Sequence, residues 1–364
     1  MSQLADNRLM RAPVTCPNCE SPNAKSLYLF KGADVVECLK CSLVYVPMPA
    51  PEFTSMYKEE YFENNGEAGG YQNYSGEFAS HVVTFTKRLE ESEKILGHMG
   101  RLLDVGCALG HLGVTAKKRG WDVYVTDVSE FAVIETRKKY GVNGFVSAPH
   151  KLAVKPARFD LITMFDVIEH LSHPLDLLRD AKRALSSHGV LHITTPNAES
   201  WSAQIMGRHW YHLKPNEHLI YFTPKTLTSM LERSGFEVLK IKPVCTYMRL
   251  DDILMRLERY SKKGAQFMRS VARWLSLSDW RLKIFVGEMQ AWARPADVRA
   301  VTKTEPVKDI LDIVCCSNCK SELQLFEESE AICTQCELSY EVVKGVINFS
   351  KYAKRGKQKI VGTS

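Results

Sequence analysis

From residue 102 to residue 294, short apolar runs alternate with amphipathic ones, and this alternation confines the chain to one class of fold. Leu102-Leu-Asp-Val105 is a short apolar strand closed by Gly106, and residues 112–119 carry a helical pattern stopped by Gly120. Residues 122–126 form a second strand that ends at Asp127. A helix over residues 131–140 follows, with Ser129 as its N-cap and Gly141 as its stop. Phe145-Val146 begins a third strand, residues 159–165 a fourth and residues 189–194 a fifth. Between the last two, residues 174–187 place Leu175, Leu178, Ala181 and Leu185 on one helical stripe. Thr223-Pro224 starts another helix, an N-cap followed by proline at the first helical position, and that helix ends at Gly235. Residues 236–241 and 284–293 read as two further strands. Strands and helices in such alternation predict a doubly wound, Rossmann-like α/β domain with a mainly parallel seven-stranded sheet covered on both faces.

In such folds the ligand lies at the carboxyl edge of the sheet, where a strand turns through glycines into a helix. Here that turn is Asp104-Val-Gly106-Cys-Ala108-Leu-Gly110. Gly106 and Gly110 let the backbone approach a ligand, and Asp127, at the end of the next strand, can accept hydrogen bonds from ribose hydroxyls. A dinucleotide site would also show glycines and a downstream acid. Two features favour S-adenosylmethionine (SAM) instead. Asp104 suits a ligand whose amino-acid moiety carries an ammonium, and the glycine spacing departs from Gly-x-Gly-x-x-Gly, the pattern that brings a pyrophosphate to a helix N-terminus.

The run Leu102-Leu-Asp-Val-Gly-Cys-Ala-Leu-Gly-His111 resembles motif I of class I SAM-dependent methyltransferases. Phe159-Asp-Leu-Ile-Thr-Met-Phe-Asp-Val-Ile-Glu-His-Leu171 and Leu191-His-Ile-Thr-Thr-Pro-Asn197 resemble the fourth- and fifth-strand motifs of the ubiquinone-methyltransferase-like branch. The resemblance covers about residues 80–294 and implies that Asp104, Gly106, Ala108, Gly110, Asp127 and Phe165 surround SAM. Ala108 stands where the family usually has glycine. Residues 146–150 lack the acid often found near adenine, so no adenine contact is assigned there.

Methyl transfer from a sulfonium asks the protein to align the nucleophile and, where needed, to remove its proton, a task suited to histidine. Two histidines stand at the expected edge. Glu169-His170 follows the fourth strand, and Glu217-His218-Leu-Ile-Tyr-Phe-Thr223 precedes the 224–235 helix. The second run resembles a Glu-His-x-x-Tyr-Phe-Ser/Thr segment of sugar C-methyltransferases, which implies His218 as base with Glu217 beside it. In the ubiquinone branch, the positions of Asp166, Glu169 and His170 can hold a divalent cation, which implies Mg²⁺. The competing reading is that Glu169 and His170 satisfy local backbone groups. Tyr71, Tyr74, Trp201, Trp210 and Tyr211 either shape an acceptor pocket or pack the core.

Eight of the eleven cysteines fall into four Cys-x-x-Cys pairs, leaving Cys107, Cys245 and Cys315. Cys16, Cys19, Cys38 and Cys41 form one set, and Cys316, Cys319, Cys333 and Cys336 the other, each with the ligand spacing of a closed tetrahedral zinc site. The first resembles the zinc ribbon ahead of many bacterial methyltransferases, and the second that of methyltransferase-activator subunits. Cys315 competes with Cys316 as a ligand, and the Cys-x-x-Cys geometry favours Cys316. Each unit is too small to fold on its core alone, so two structural zinc ions would supply its stability. Whether the ribbons bind substrate, bind RNA or a protein, or brace the fold stays open at this level.

The chain divides into a ribbon at 14–48, a Tyr-rich substrate-side segment at 49–80 and a methyltransferase domain at 81–294. A linker at 295–312, a second ribbon at 313–350 and a basic tail at 351–364 follow. The domain carries a basic helical insertion at 247–282 whose readings are a membrane-surface helix, a lid or a solvated hairpin. No run of some 18 apolar residues occurs and the N-terminus lacks a secretory core, so the sequence predicts no membrane span and a cytoplasmic enzyme. A net charge of +6 permits contact with nucleic acid or an anionic membrane and demands neither. The leading expectation is methyl transfer to a small acceptor: a sugar, a lipid-linked compound or a secondary metabolite. The rivals are an RNA or protein methyltransferase guided by its ribbons, and a SAM-binding regulator.

Overall fold

The computed structural model describes residues 15–30, 33–47, 78–148, 151–258, 261–297, 307–326 and 328–354. Tyr57, Tyr61, Tyr71, Tyr74 and most of the basic tail lie outside the described residues. The first ribbon contributes β1 (Ala24–Phe30), β2 (Ala33–Cys38) and β3 (Val44–Tyr45). The central domain runs α1 (Phe78–Leu96), β4 (Arg101–Val105), α2 (His111–Arg119), β5 (Asp122–Asp127), α3 (Glu130–Tyr140), β6 (Asn143–Val146) and β7 (Phe159–Phe165). It continues through α4 (Pro174–Ala184), β8 (Leu185–Pro196), α5 (Trp201–Met206), β9 (Ile220–Tyr221), α6 (Pro224–Arg233) and β10 (Phe236–Arg249). The insertion supplies α7 (Leu250–Leu257) and α8 (Lys262–Trp274) before β11 (Arg281–Pro295). The second ribbon holds β12 (Leu323–Phe326), β13 (Glu330–Cys333), β14 (Leu338–Val343) and β15 (Val346–Lys354).

Local chemistry sets the helix ends. Ser129 accepts the Ala132 N–H, and Thr223 accepts that of Thr226 ahead of Pro224. Gly120 (φ 106°) and Gly141 (φ 60°) close α2 and α3 in the left-handed region. The sheet order is β10-β11-β8-β7-β4-β5-β6, with β8-β7-β4-β5-β6 parallel and the β11 pairs antiparallel. The chain winds outward from β4 to β6 and then back through β7. The strand order therefore reverses between β4 and β7, where a crevice opens at the carboxyl edge. The core between sheet and helices is apolar and fully covered, with Leu103, Ile162, Met164, Leu178 and Ile193 inaccessible to solvent.

The structure departs from sequence expectation at both edges of this sheet. It does not stop at seven strands. β15 pairs in parallel with β6 through Asn348 and Val146, so the second ribbon adds β15-β14-β13-β12 to the same sheet. Phe349 meets Phe145 edge to face at 6.0 Å, the Asn348 amide donates to Glu130, and Arg137 donates to the Gly345 carbonyl. An exposed parallel edge is thereby covered. At the other edge, β10 and β11 extend past the 236–241 and 284–293 segments read from sequence and stay paired to Arg249↔Arg281. Pro243 sits in β10, an edge strand, where its missing N–H costs no ladder bond.

Phe349 is 3% exposed at the ribbon–domain seam. Phe349→Ala is expected to destabilise the protein by about 3–5 kcal/mol and to leave a single cooperative urea transition. Two separate transitions, with the methyltransferase domain unmoved, would show that the ribbon is not part of the folded unit.

Candidate functional site

The parallel strands deliver their carboxyl ends to one edge, so the sequence-selected residues converge there. Gly106 (φ 78°) and Gly110 (φ 75°) bend the chain out of β4 and into α2. A Cβ on Gly106 would stand 2.5 Å from a Val167 methyl, and one on Gly110 2.4 Å from the Thr136 side chain. Both positions are closed to other residues by packing as well as by conformation. Ala108 between them also has positive φ, 46°, a conformation that costs an L-residue roughly 1 kcal/mol. The Asp127 carboxylate accepts the Ala108 N–H through one oxygen and the Ser129 N–H through the other, each at 2.9 Å. Asp127 therefore fastens the glycine turn to the end of β5. Asp104 lies beneath the turn and accepts from the Thr163 hydroxyl at 2.9 Å. Burial pushes Asp104 up to about 7 and raises Asp127, effects that a cationic ligand at this edge would oppose. Phe165 stacks on Phe85 of α1 at 6.1 Å and forms one wall. Gly106, Ala108, Gly110, Asp127 and Phe165 thus stand together at the carboxyl edge, at the ends of β4, β5 and β7, with Asp104 buried beneath the turn.

A second group of polar side chains comes from the turn after β7 and the segment before β9. His170 donates from Nδ1 to the Glu217 carbonyl at 2.9 Å, and His218 from Nδ1 to the His212 carbonyl at 2.8 Å. A carbonyl can only accept, so both imidazoles carry their proton on Nδ1 and leave Nε2 as a free lone pair. The two rings meet edge to face at 4.8 Å. Glu169 is buried beside them. One of its oxygens accepts from Thr195 at 3.1 Å, and the other has no partner among the described residues. Ligand atoms of Glu169, His170 and His218 lie within 4.8 Å of one another. Burial holds His170 down at about 4 and His218 well below its ordinary value, and drives Glu169 well up. Both imidazoles are therefore held unprotonated in the neutral range.

Two sequence-selected residues are placed differently from the resemblance. Glu217 gives its backbone carbonyl to His170, while its carboxylate lies 3.5 Å from Lys214. Asp166 (φ 57°) turns toward Thr194, whose hydroxyl it accepts at 3.2 Å, and does not join Glu169 and His170. An oxygen-rich triad for Mg²⁺ is not assembled, because two of the three converging atoms are imidazole nitrogens. Trp201 is exposed on α5, and Trp210 is buried near His212.

A further polar group was not legible in the sequence. Arg88 of α1 is buried, pairs with Glu288 of β11 at 3.4 Å, donates to Thr194 and lies 5.1 Å over the Phe165 ring. His212 donates to the Val286 carbonyl and stands 3.9 Å from Glu288. These residues come from stretches more than 70 positions apart, and Arg88 reads in sequence as the polar face of an ordinary helix.

The cysteines gather as two clusters. Sγ of Cys16 and Cys41 lie 3.5 Å apart and those of Cys19 and Cys38 3.4 Å, while Cys316–Cys336 and Cys319–Cys333 measure 3.5 and 3.4 Å. Each set of four sulfurs falls within 4.8 Å, too far apart for disulfides at about 2.05 Å and right for thiolates around one tetrahedral ion. The residue after each pair, Glu20, Ser42, Lys320 and Glu337, takes positive φ. In the second cluster, the amides of Asn318, Cys319, Gln335 and Cys336 point at sulfur. Cys315 stays outside the cluster, and Cys316 is the one of the two whose sulfur lies within it. The first ribbon also reaches the segment that carries His218. β3 pairs with β9, and the Val46 N–H donates to the carbonyl of Leu219, next to His218.

Residues 71–241 match the family model described as a methyltransferase domain. The ubiquinone biosynthesis O-methyltransferase of Roseobacter denitrificans is 26% identical over 148 residues, 38% of this chain and 60% of that protein. The mitochondrial ubiquinone biosynthesis O-methyltransferase of Candida albicans is 30% identical over 132 residues, 31% of this chain and 38% of that protein. The counterpart from Coxiella burnetii is 24% identical and matches 52% of this chain and 87% of that protein. The first two matches leave a large part of each relative's length unspanned. Among solved structures, a methyltransferase from Mesorhizobium loti aligns with 59% of this chain and 97% of its own at 17% identity, with a TM-score of 0.39.

Purified protein is expected to contain two zinc ions per chain by elemental analysis, falling to one in Cys38→Ser and to one in Cys333→Ser. A folded, zinc-free preparation would refute the assignment of both clusters.

Proposed function

From a chain that carries a class I SAM-dependent methyltransferase domain related to the ubiquinone O-methyltransferases, we propose an enzyme that methylates a small organic acceptor with His218 as its general base. The relatives are named for O-methylation, and a hydroxyl is the acceptor that makes most use of a base. In this reading the Gly106–Gly110 turn, Asp127 and Phe165 hold SAM, with Asp104 beneath. The cofactor supplies an activated methyl and a neutral leaving group. The chain's own residues align the acceptor and take its proton.

The observation that carries the reading is the pair of Nδ1-protonated imidazoles. His218 Nε2 is fixed in direction by the His212 carbonyl, and burial keeps it unprotonated through the neutral range. As the new bond to carbon forms, the acceptor hydroxyl loses its proton to Nε2. His170, edge-on to His218, fixes the ring's plane, and Glu169 closes the pocket behind them. The first ribbon then has a role in catalysis by position, since β9 holds His218 through β3.

One observation favours a second reading. The unpartnered Glu169 oxygen and two imidazole nitrogens form a mixed donor set that suits a transition cation, which would occupy His218 Nε2 and polarise the acceptor. Metal content separates the two. Two zinc ions per chain support the base, whereas a third metal that disappears in His218→Ala supports the cation.

His218→Ala is expected to lower kcat by about 10²-fold or more while SAM affinity changes by no more than about twofold. Activity within a few-fold of wild type would remove His218 from the chemistry. Because the His218 pKa is depressed, its lone pair survives as pH falls. We expect kcat to stay flat from pH 8 down to about 6, and an acid limb centred on the ordinary histidine value near 6.5 would contradict this placement. Methyl-labelled SAM should label small hydroxylated compounds in a cell extract, and label confined to RNA or protein would overturn the acceptor class.

A further inference from the structure

Of the helical insertion, α7 brings Arg256 to act on Glu288 and His212, whereas the packing of α8 is inverted. α7 and α8 are locked to each other by Arg269, which bonds to Asp251 at 2.9 Å and Glu258 at 2.8 Å. Arg249 fastens the start of α7 to Asp252 at 2.8 Å. Against this partner α8 buries only its small residues, Ala265 and Ala272. Its large apolar residues face solvent: Phe267 is 71% exposed, Met268 52%, Val271 38% and Trp274 82%. Phe267, Val271 and Trp274 are spaced i, i+4, i+7, so they form a single stripe. Trp280, 61% exposed, extends the apolar surface beyond the helix. In water such a stripe normally turns inward, and contiguous exposed apolar surface of this kind marks a binding face.

Charge around the stripe identifies what it fits. Lys263 is exposed next to the stripe on α8, Lys262 and Arg273 are exposed further round the same helix and Arg281 and Lys283 at the start of β11, and none of the five makes an ion pair among the described residues. Between residues 261 and 287 the sequence has one acid, Asp279, and it lies 3.4 Å from Arg249. An apolar ridge bearing tryptophans, with unneutralised cations near it, is complementary to an anionic bilayer surface, where indole sits at the headgroup level and lysine reaches the phosphates. Among the described residues no helix is long and apolar enough to cross a membrane, so the contact is one of lying on the surface.

The topology puts this face at a defined place. β11 pairs with β8 only from Ala293↔Leu191 to Glu288↔Pro196, yet it stays paired with β10 out to Arg281↔Arg249. The β10–β11 hairpin therefore projects beyond the carboxyl edge of the parallel strands, and α7 and α8 crown it. We propose that the α8 face docks the protein peripherally on anionic lipid bilayers through the Phe267–Val271–Trp274 stripe and the nearby cations. The inference does not depend on the methyl-transfer reading.

The test is sedimentation of the full chain with phosphatidylcholine vesicles, with and without about one-third phosphatidylglycerol. Binding to the anionic vesicles at least about tenfold stronger than to the neutral ones, weakened by salt, is expected. The double variant Phe267→Ser/Trp274→Ser should lose the binding, and Lys262→Ala/Lys263→Ala should weaken it about tenfold or more. Both pairs are exposed, so melting temperature and SAM affinity should be unchanged. Equal binding to neutral vesicles, no binding to anionic ones, or wild-type binding by either double variant would overturn the proposal. So would a concentration-dependent dimer that Phe267→Ser/Trp274→Ser dissolves while vesicles leave both proteins in solution, since the face would then seat a second copy.

Discussion

Backbone hydrogen bonds on both sides of one residue, Leu219, tie the protein together. Its N–H donates to the Glu169 carbonyl at 2.7 Å, and its carbonyl accepts the Val46 N–H at 2.9 Å. The turn after β7, the strand before α6 and the first ribbon thus meet within a single residue of His218. Each bond is modest, near 1 kcal/mol, but together with the Tyr45↔Ile220 pairing they leave the 218–221 segment no independent movement. The ribbon is too small to hold that geometry through its own core. Metal binding, worth about 10–16 kcal/mol in zinc-finger peptides, would make such a small brace stiff. The second cluster braces the opposite edge by the same physics, covering β6 with β15.

The site's electrostatics follow from burial. Asp166, Glu169 and Glu288 are buried together, with the Arg88 guanidinium beside them and that of Arg256 also acting on Glu288, and burial still pushes all three carboxyls upward. The histidines among them, His170, His212 and His218, are pushed downward. Desolvation penalises charge of either sign, so acids hold protons while imidazoles release them. The outcome is a buried cluster in which the imidazoles keep lone pairs in the neutral range, the state in which a fixed imidazole nitrogen can accept a proton. Cofactor-side acids are raised too, and there the remedy is a ligand bearing positive charge, the character of a sulfonium with an ammonium.

Legibility in the sequence divided along physical lines. The strand–helix alternation, the caps at Ser129 and Thr223 and the stops at Gly120 and Gly141 are set by neighbours in the chain, and the structure shows them where the sequence puts them. The cysteine clusters were legible because Cys-x-x-Cys spacing is already a geometry. The contacts that assemble the buried polar cluster are not local. Arg88, His212 and Glu288 meet only once α1 packs on the sheet and β11 pairs with β8, and Asp166 leaves the Glu169–His170 pair because a left-handed turn swings it toward Thr194. The parallel join of Asn348 to Val146 rests on one residue pair some 200 positions apart, and nothing in either strand announces it. The sequence read 247–282 as a basic helical insertion, but not that α8 turns its small residues inward and its large apolar ones to solvent.

The claim on which the functional reading stands is that His218 presents an unprotonated Nε2 to the acceptor side. Long-range ¹H–¹⁵N correlation spectra of histidine-labelled protein, with the His218 signal assigned by its loss in His218→Ala, read this directly. The account requires a neutral Nδ1–H tautomer that persists from about pH 8 to below 6. An imidazolium within that range, or a neutral ring protonated on Nε2, would contradict it.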